Sequence, residues 1–197
     1  MQAVDLRVPL SLPNGSIRLA RGNIPIPQLD RWFTHLKQDI QWQQPEVTLF
    51  GKQHKVPRLT SLYGSKRYVY SGTDQTPNDW TRDLCEIKEM VELWSANTFN
   101  SVLLNKYRDG SDAMGWHADN EPVLGADPIV VSLSLGAARR MRFKHRLLAN
   151  ARFEVTLYHG DLLMMGAGMQ QYWQHAIPRQ TGISDSRISL TFRDIRA

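Results

Sequence analysis

The chain has 197 residues, a net charge of +5 and 42% hydrophobic residues, enough for one globular domain with a sizeable core. No apolar run reaches membrane-spanning length, the start MQAVDLRVPL lacks a signal peptide's apolar stretch, and Cys85 is the only cysteine. Those features point away from a membrane or a disulfide scaffold and towards a reducing, intracellular compartment. A monomer with no obligate protein partner is expected, and the cationic excess leans weakly towards a polyanionic partner.

Residues 1–26 carry scattered Pro and Gly and read as an irregular arm ahead of a single domain over 27–197. Leu29, Trp32, Phe33, Leu36 and Ile40 then follow helical spacing. From Glu46 to Tyr70 the chain has hairpin character, with a turn at Gly51-Lys52. The apolar pair Leu49-Phe50 sits where a hairpin tip is normally polar, so Phe50 either folds back into the core or forms a wedge for a base stack. Thr76-Pro77-Asn78-Asp79 has the composition of a helix start, and Trp80, Leu84, Ile87, Val91 and Trp94 give the following helix a buried stripe. Cys85, beside that stripe, is expected to pack.

Past residue 98 the pattern changes to short strands. SVLLNKY breaks at Asp109-Gly110-Ser111-Asp112 and then delivers Trp116-His117-Ala118-Asp119. On an extended segment His117 and Asp119 point to the same side. With His175 of QYWQHAIP as a third ligand they would make two His and one carboxylate, the pattern of non-haem Fe(II) sites. Alone, His-x-Asp is common and means little. In RRMRFKHR, Arg140, Arg142, Lys144 and Arg146 share one face, with Met141 and Phe143 on the other. In the last strand Ile188, Leu190 and Phe192 alternate with Arg187, Ser189, Thr191 and Arg193. Arginines on an inward face need anions, and their planar forks suit carboxylates. The alternative is an exposed edge strand. Asn105 and Tyr107 share a face of the strand leading to the metal motif. The fold expected is mainly β with flanking helices, a barrel or double-sheet jelly roll.

Together NKY…MGWHADNE, SLSLGAARRMRFKHR, HGDLLMMGAGMQQYWQHAIP and SRISLTFRDI resemble the AlkB family of Fe(II)- and 2-oxoglutarate-dependent dioxygenases, from about Leu49 to Ile195. The resemblance implies a double-stranded β-helix and three cofactors or cosubstrates: Fe(II), 2-oxoglutarate and molecular oxygen. It implies His117, Asp119 and His175 as iron ligands, and Asn105, Tyr107, Arg187, Thr191 and Arg193 as contacts to 2-oxoglutarate. Ser189 departs from the Asn of many members. The implied activity is oxidative removal of N-alkyl groups from 1-methyladenine and 3-methylcytosine in DNA, with formaldehyde, succinate and carbon dioxide released. RNA or single-stranded DNA is the alternative substrate, and a protein or small molecule a more distant one.

The VPRLTSLYG and YVYSG segments resemble the branch that repairs duplex DNA. That likeness makes Tyr68 and Tyr70 part of a nucleotide lid, Tyr70 and His117 the stacking pair for a flipped base, and Glu121 the contact to its edge. It favours the wedge for Phe50, and the basic stripe with Arg58 would grip phosphates. After His175, Pro178-Arg179-Gln180-Thr181 keeps one charge where that branch can carry a basic cluster, implying a weaker hold on a complementary strand. The compartment implied is the cytoplasm of a bacterium or the nucleus of a eukaryote.

Overall fold

The structure, a computed structural model, describes residues 10–49, 51–66, 68–70 and 73–196. The described residues open with strands β1 (Leu10–Leu12) and β2 (Gly15–Ala20), then helix α1 (Ile26–Asp39). Five short strands follow: β3 (Glu46–Leu49), β4 (Lys52–Lys55), β5 (Leu59–Gly64), β6 (Tyr68–Tyr70) and β7 (Thr73–Gln75). After helix α2 (Arg82–Ser95) come β8 (Ser101–Tyr107), β9 (Met114–His117), β10 (Val130–Gly136) and β11 (Arg139–His145). The chain ends with β12 (Arg152–Leu157), β13 (Leu162–Met165), the single turn α3 (Met169–Tyr172), β14 (Trp173–Ile177) and β15 (Arg187–Arg193).

A seven-stranded sheet, ordered β1-β2-β13-β10-β15-β8-β5, faces a four-stranded sheet, β12-β11-β14-β9. All their pairings are antiparallel. This is the expected mainly β, jelly-roll architecture. Alternation along β15 divides the molecule. Ile188, Leu190 and Phe192 are fully buried in a core shared with Leu29, Trp32 and Leu36 of α1 and Leu84, Ile87 and Val91 of α2. The opposite face of β15 looks into the space between the sheets. There a second core gathers Ile17 and Leu19 of β2 with Met141, Phe143, Phe153 and Trp173.

Several expectations are corrected. The irregular arm is not irregular at 10–20. β2 forms four register pairs with β13, Ile17 and Leu19 are buried, and Asn14 takes the positive φ (54°) that turns β1 back onto β2. Helix α2 begins later than its composition implies. Its cap is Thr81, whose Oγ1 accepts from Leu84 N (3.3 Å), while Asn78 bridges Tyr63 and donates to Leu62 O (2.9 Å). Cys85 is exposed rather than packed. Gly51 (φ 75°) does stand in the β3–β4 turn, but Lys52 already belongs to β4. Phe50 lies outside the described residues. No helix among those described is long and apolar enough to cross a membrane.

Candidate metal centre and cosubstrate pocket

His117 ends β9, and in the register of the smaller sheet it lies opposite His175 of β14. Asp119 follows His117 by two residues and is 1% exposed. The three ligand atoms fall within 4.8 Å of one another, the one such group among the described residues. The imidazole centroids of His117 and His175 are 4.2 Å apart, and His175 Nε2 is 3.6 Å from Asp119 Oδ2. His117 Nδ1 lies 2.8 Å from Gly115 O. A carbonyl can only accept, so Nδ1 carries the proton and Nε2 keeps the lone pair that a metal needs.

Electrostatics favour the protonation states of ligands. Burial and the neighbouring His117 push His175 down to about 3, against a smaller opposing effect from Asp119. Burial pushes Asp119 up, but Arg193, His175 and His117 outweigh it and hold its carboxyl below the usual range. Arg193 Nη2 donates to Asp119 Oδ1. A neutral imidazole, an ionised carboxylate and a buried Oδ2 without a hydrogen-bond partner among the described residues suit a divalent cation.

Across from this cluster, β15 lines the cavity with Arg187, Ser189, Thr191 and Arg193, and β8 with Asn105 and Tyr107. Register explains the grouping, since Arg187 pairs with Tyr107 and Ser189 with Asn105. Arg187 is 1% exposed, and Nη2 donates to Ser134 Oγ (2.8 Å). Its Nε and Nη1 are buried without a hydrogen-bond partner among the described residues. Burial and Arg139 lower it to about 10, against the raising influence of Tyr107, so it remains a cation at neutral pH. A buried guanidinium with two unused donors is costly unless an anion completes it. A dicarboxylate meets that need, so the residues present fit 2-oxoglutarate as well as iron.

The other expected residues are less uniform. Glu121 is partly buried, and its Oε2 has no hydrogen-bond partner among the described residues. Tyr68 and Tyr70 belong to β6, paired with β7; only their backbone is described. Arg58 is corrected. It is 5% exposed and donates from Nε to Asn105 Oδ1 (2.8 Å), so it braces a pocket residue instead of reaching an outer phosphate. Arg140, Arg142 and Lys144 do share the outer face of β11, but Arg142 pairs with Glu154 (3.3 Å) and Lys144 covers the Trp116 ring (4.6 Å). Gln180, in the segment that keeps one charge, accepts from Arg140 N through Oε1 (2.7 Å).

Two residues escaped the sequence reading. Gln170, fully buried, accepts from Asp119 N through Oε1 (2.9 Å) and so steadies the carboxylate ligand. Arg139, also fully buried, sits under Tyr107. A signal for it existed: it has the same parity as Met141 and Phe143 and so faces inward. For Gln170 no local pattern marks the role.

The model of the 2OG-Fe(II) oxygenase superfamily matches residues 16–193. The chain belongs to this family. It is 37% identical over 194 residues to alpha-ketoglutarate-dependent dioxygenase alkB homolog 3 of Bos taurus, covering 93% of this chain and 68% of that protein. It is 34% identical over 180 residues to DNA oxidative demethylase ALKBH2 of Mus musculus, covering 85% and 75%. The solved structure of OsALKBH1 superposes with a TM-score of 0.64 over 95% of this chain and all of that one, at 18% identity, a likeness of fold. The protein is thus an AlkB-like Fe(II)- and 2-oxoglutarate-dependent dioxygenase, and its cosubstrates are 2-oxoglutarate and molecular oxygen.

Proposed function

We propose that this dioxygenase demethylates DNA, reversing N-alkyl lesions such as 1-methyladenine and 3-methylcytosine. The observation that carries the chemistry is the pairing of the His117, Asp119 and His175 cluster with an uncompleted buried cation at Arg187. The similarity to ALKBH2, a DNA oxidative demethylase, supplies the substrate class. Bound iron with 2-oxoglutarate and oxygen would supply an oxidant for the methyl C–H bond, and the hydroxylated methyl would leave as formaldehyde.

The chain's own residues do the positioning. His117, Asp119 and His175 hold the metal, with Gln170 and Gly115 fixing two of them. Arg187 takes one carboxylate of 2-oxoglutarate, and Arg193 lies at the metal end of the same strand. Asn105, Tyr107 and Thr191 shape the cavity between. A base must leave its stack to reach this depth. By the family resemblance we assign Glu121 to accept from the base edge, His117 and Tyr70 to stack on the base, and Phe50 to fill the gap left behind; the buried Glu121 Oε2, without a hydrogen-bond partner among the described residues, supports the first of these. Duplex DNA is the substrate we assign on that resemblance. The lone Arg179 in the segment after His175 favours a second reading, single-stranded DNA or RNA, because it leaves little charge to hold a complementary strand.

The test is turnover on matched duplex and single-stranded oligonucleotides, each with one 1-methyladenine, read by mass. Repair should require both Fe(II) and 2-oxoglutarate and vanish in Asp119→Ala. Phe50→Ala should lower duplex repair far more than single-strand repair. An equal loss on both would sink the wedge, and succinate formation without any repair would sink the substrate.

A further inference from the structure

Arg139 is fully buried, and among the described residues no carboxylate pairs with its guanidinium. Instead Nη1 donates to Asp109 O (2.8 Å), and Nη2 donates to Asp112 O (2.7 Å) and Pro178 O (2.9 Å). Its Cζ stands 5.3 Å from the Tyr107 ring centroid, and Arg187 Cζ stands 5.4 Å from the same ring. Charge-assisted bonds to three carbonyls offset the loss of water, and removing the cation would strand those carbonyls.

The three carbonyls are not neighbours in sequence. Asp109 and Asp112 lie in the loop that enters β9, and Pro178 is the first residue after β14. These two strands carry His117 and His175, and Asp119 follows the first. Their ladder is itself irregular, pairing His175 with His117 but Ile177 with Met114, a bulge just before the ends that Arg139 holds. β9 is the edge strand of its sheet, and among the described residues this bulged ladder to β14 is its one strand pairing. The loops are also laced directly. Gln180 N donates to Gly110 O (2.8 Å), and a Cβ on Gly110 would come within 1.9 Å of Gln180 O.

We propose that Arg139 is a positioning residue that clamps the entry to β9 onto the exit from β14 and so sets the separation of the metal ligands. This rests on the reading of His117, Asp119 and His175 as the metal site. Through Tyr107 the same guanidinium reaches the Arg187 end of the cosubstrate pocket. A lysine cannot substitute. Its single nitrogen cannot serve carbonyls on both sides of a planar fork.

The experiment measures Co(II) affinity by its visible d–d absorption, without turnover, together with the KM for 2-oxoglutarate in the Fe(II) enzyme. Wild type should bind Co(II), and Asp119→Ala should not, which checks the metal reading independently. Arg139→Lys and Arg139→Gln should each weaken Co(II) binding by about 10- to 100-fold, the usual effect of losing a partner that orients a metal ligand. KM should rise in parallel. Leu36→Ala, a cavity in the core beyond the large sheet, should lower Tm while leaving Co(II) affinity and KM unchanged. Gly110→Ala keeps the Arg139 side chain but drives the β9 entry loop off Gln180, drawing the Asp109 and Asp112 carbonyls away from the clamp, so it should reproduce the Co(II) loss and decides the matter should the Arg139 variants not fold. Wild-type Co(II) affinity in folded Arg139→Lys, or in Gly110→Ala if neither Arg139 variant folds, would overturn the proposal.

Discussion

Asp112 accepts from Arg108 at three atoms: backbone N (2.9 Å), Nε (2.8 Å) and Nη2 (2.8 Å). Burial pushes its carboxyl up, but the hydrogen bonds and charge of Arg108 outweigh burial and hold it below the usual value. A lowered folded pKa contributes stability that is fully present above the unfolded value of about 3.9 and lost as pH falls through the folded value. Asp112→Asn should therefore cost about 1–3 kcal/mol at neutral pH. Urea melts at neutral pH and near pH 3 test this, since the gap between variant and wild type should narrow in acid. An unchanged gap would mean that ionisation contributes nothing. At this scale the sequence was most informative where chemistry requires a residue type. A His-x-Asp pair, a distant His and two inward arginines mark a metal and a diacid. Arg58 and Gln170 were opaque because their partners, Asn105 and the Asp119 amide, lie 47 and 51 residues away.

Strand β2 shows the limit of periodicity. It is six residues long, with Ile17 and Leu19 pointing inward and Arg18 between them. Two apolar residues cannot establish a period, and the pairing that fixes the strand is with β13, more than 140 positions onward. Ile17→Ala should nevertheless cost about 2–5 kcal/mol, as for other fully buried aliphatic side chains. In a chain of this size that lowers Tm by about 2–4 °C per kcal/mol, measurable by scanning calorimetry. A dispensable arm would show no change. By contrast β15 was legible almost completely, because seven residues of strict alternation separate two chemically different faces. The start of α2 misled for a local reason: Thr76-Pro77 and Thr81 are both credible caps, and the bridge from Asn78 to Tyr63 reserves the first segment for strand-like structure.

Across the whole molecule, net charge becomes a force on a nucleic acid only where cations lack acidic partners. On the outer face of β11, Arg142 is already paired with Glu154. The double variant Arg140→Gln/Lys144→Gln should flatten the salt dependence of oligonucleotide binding by about one to two units of log–log slope, while Arg142→Gln should change it little. Equal slopes in all three proteins would remove β11 from the binding surface. A further consequence follows from the sheet order. The hairpins β3–β4 and β6–β7 form two-stranded sheets of their own, outside both ladders that carry the metal ligands and arginines. Insertions, deletions or altered tips there need not disturb the register on which oxidation depends. Sequence changes can therefore act on the two parts separately, leaving the chamber that holds the metal ligands in register while the outlying hairpins vary.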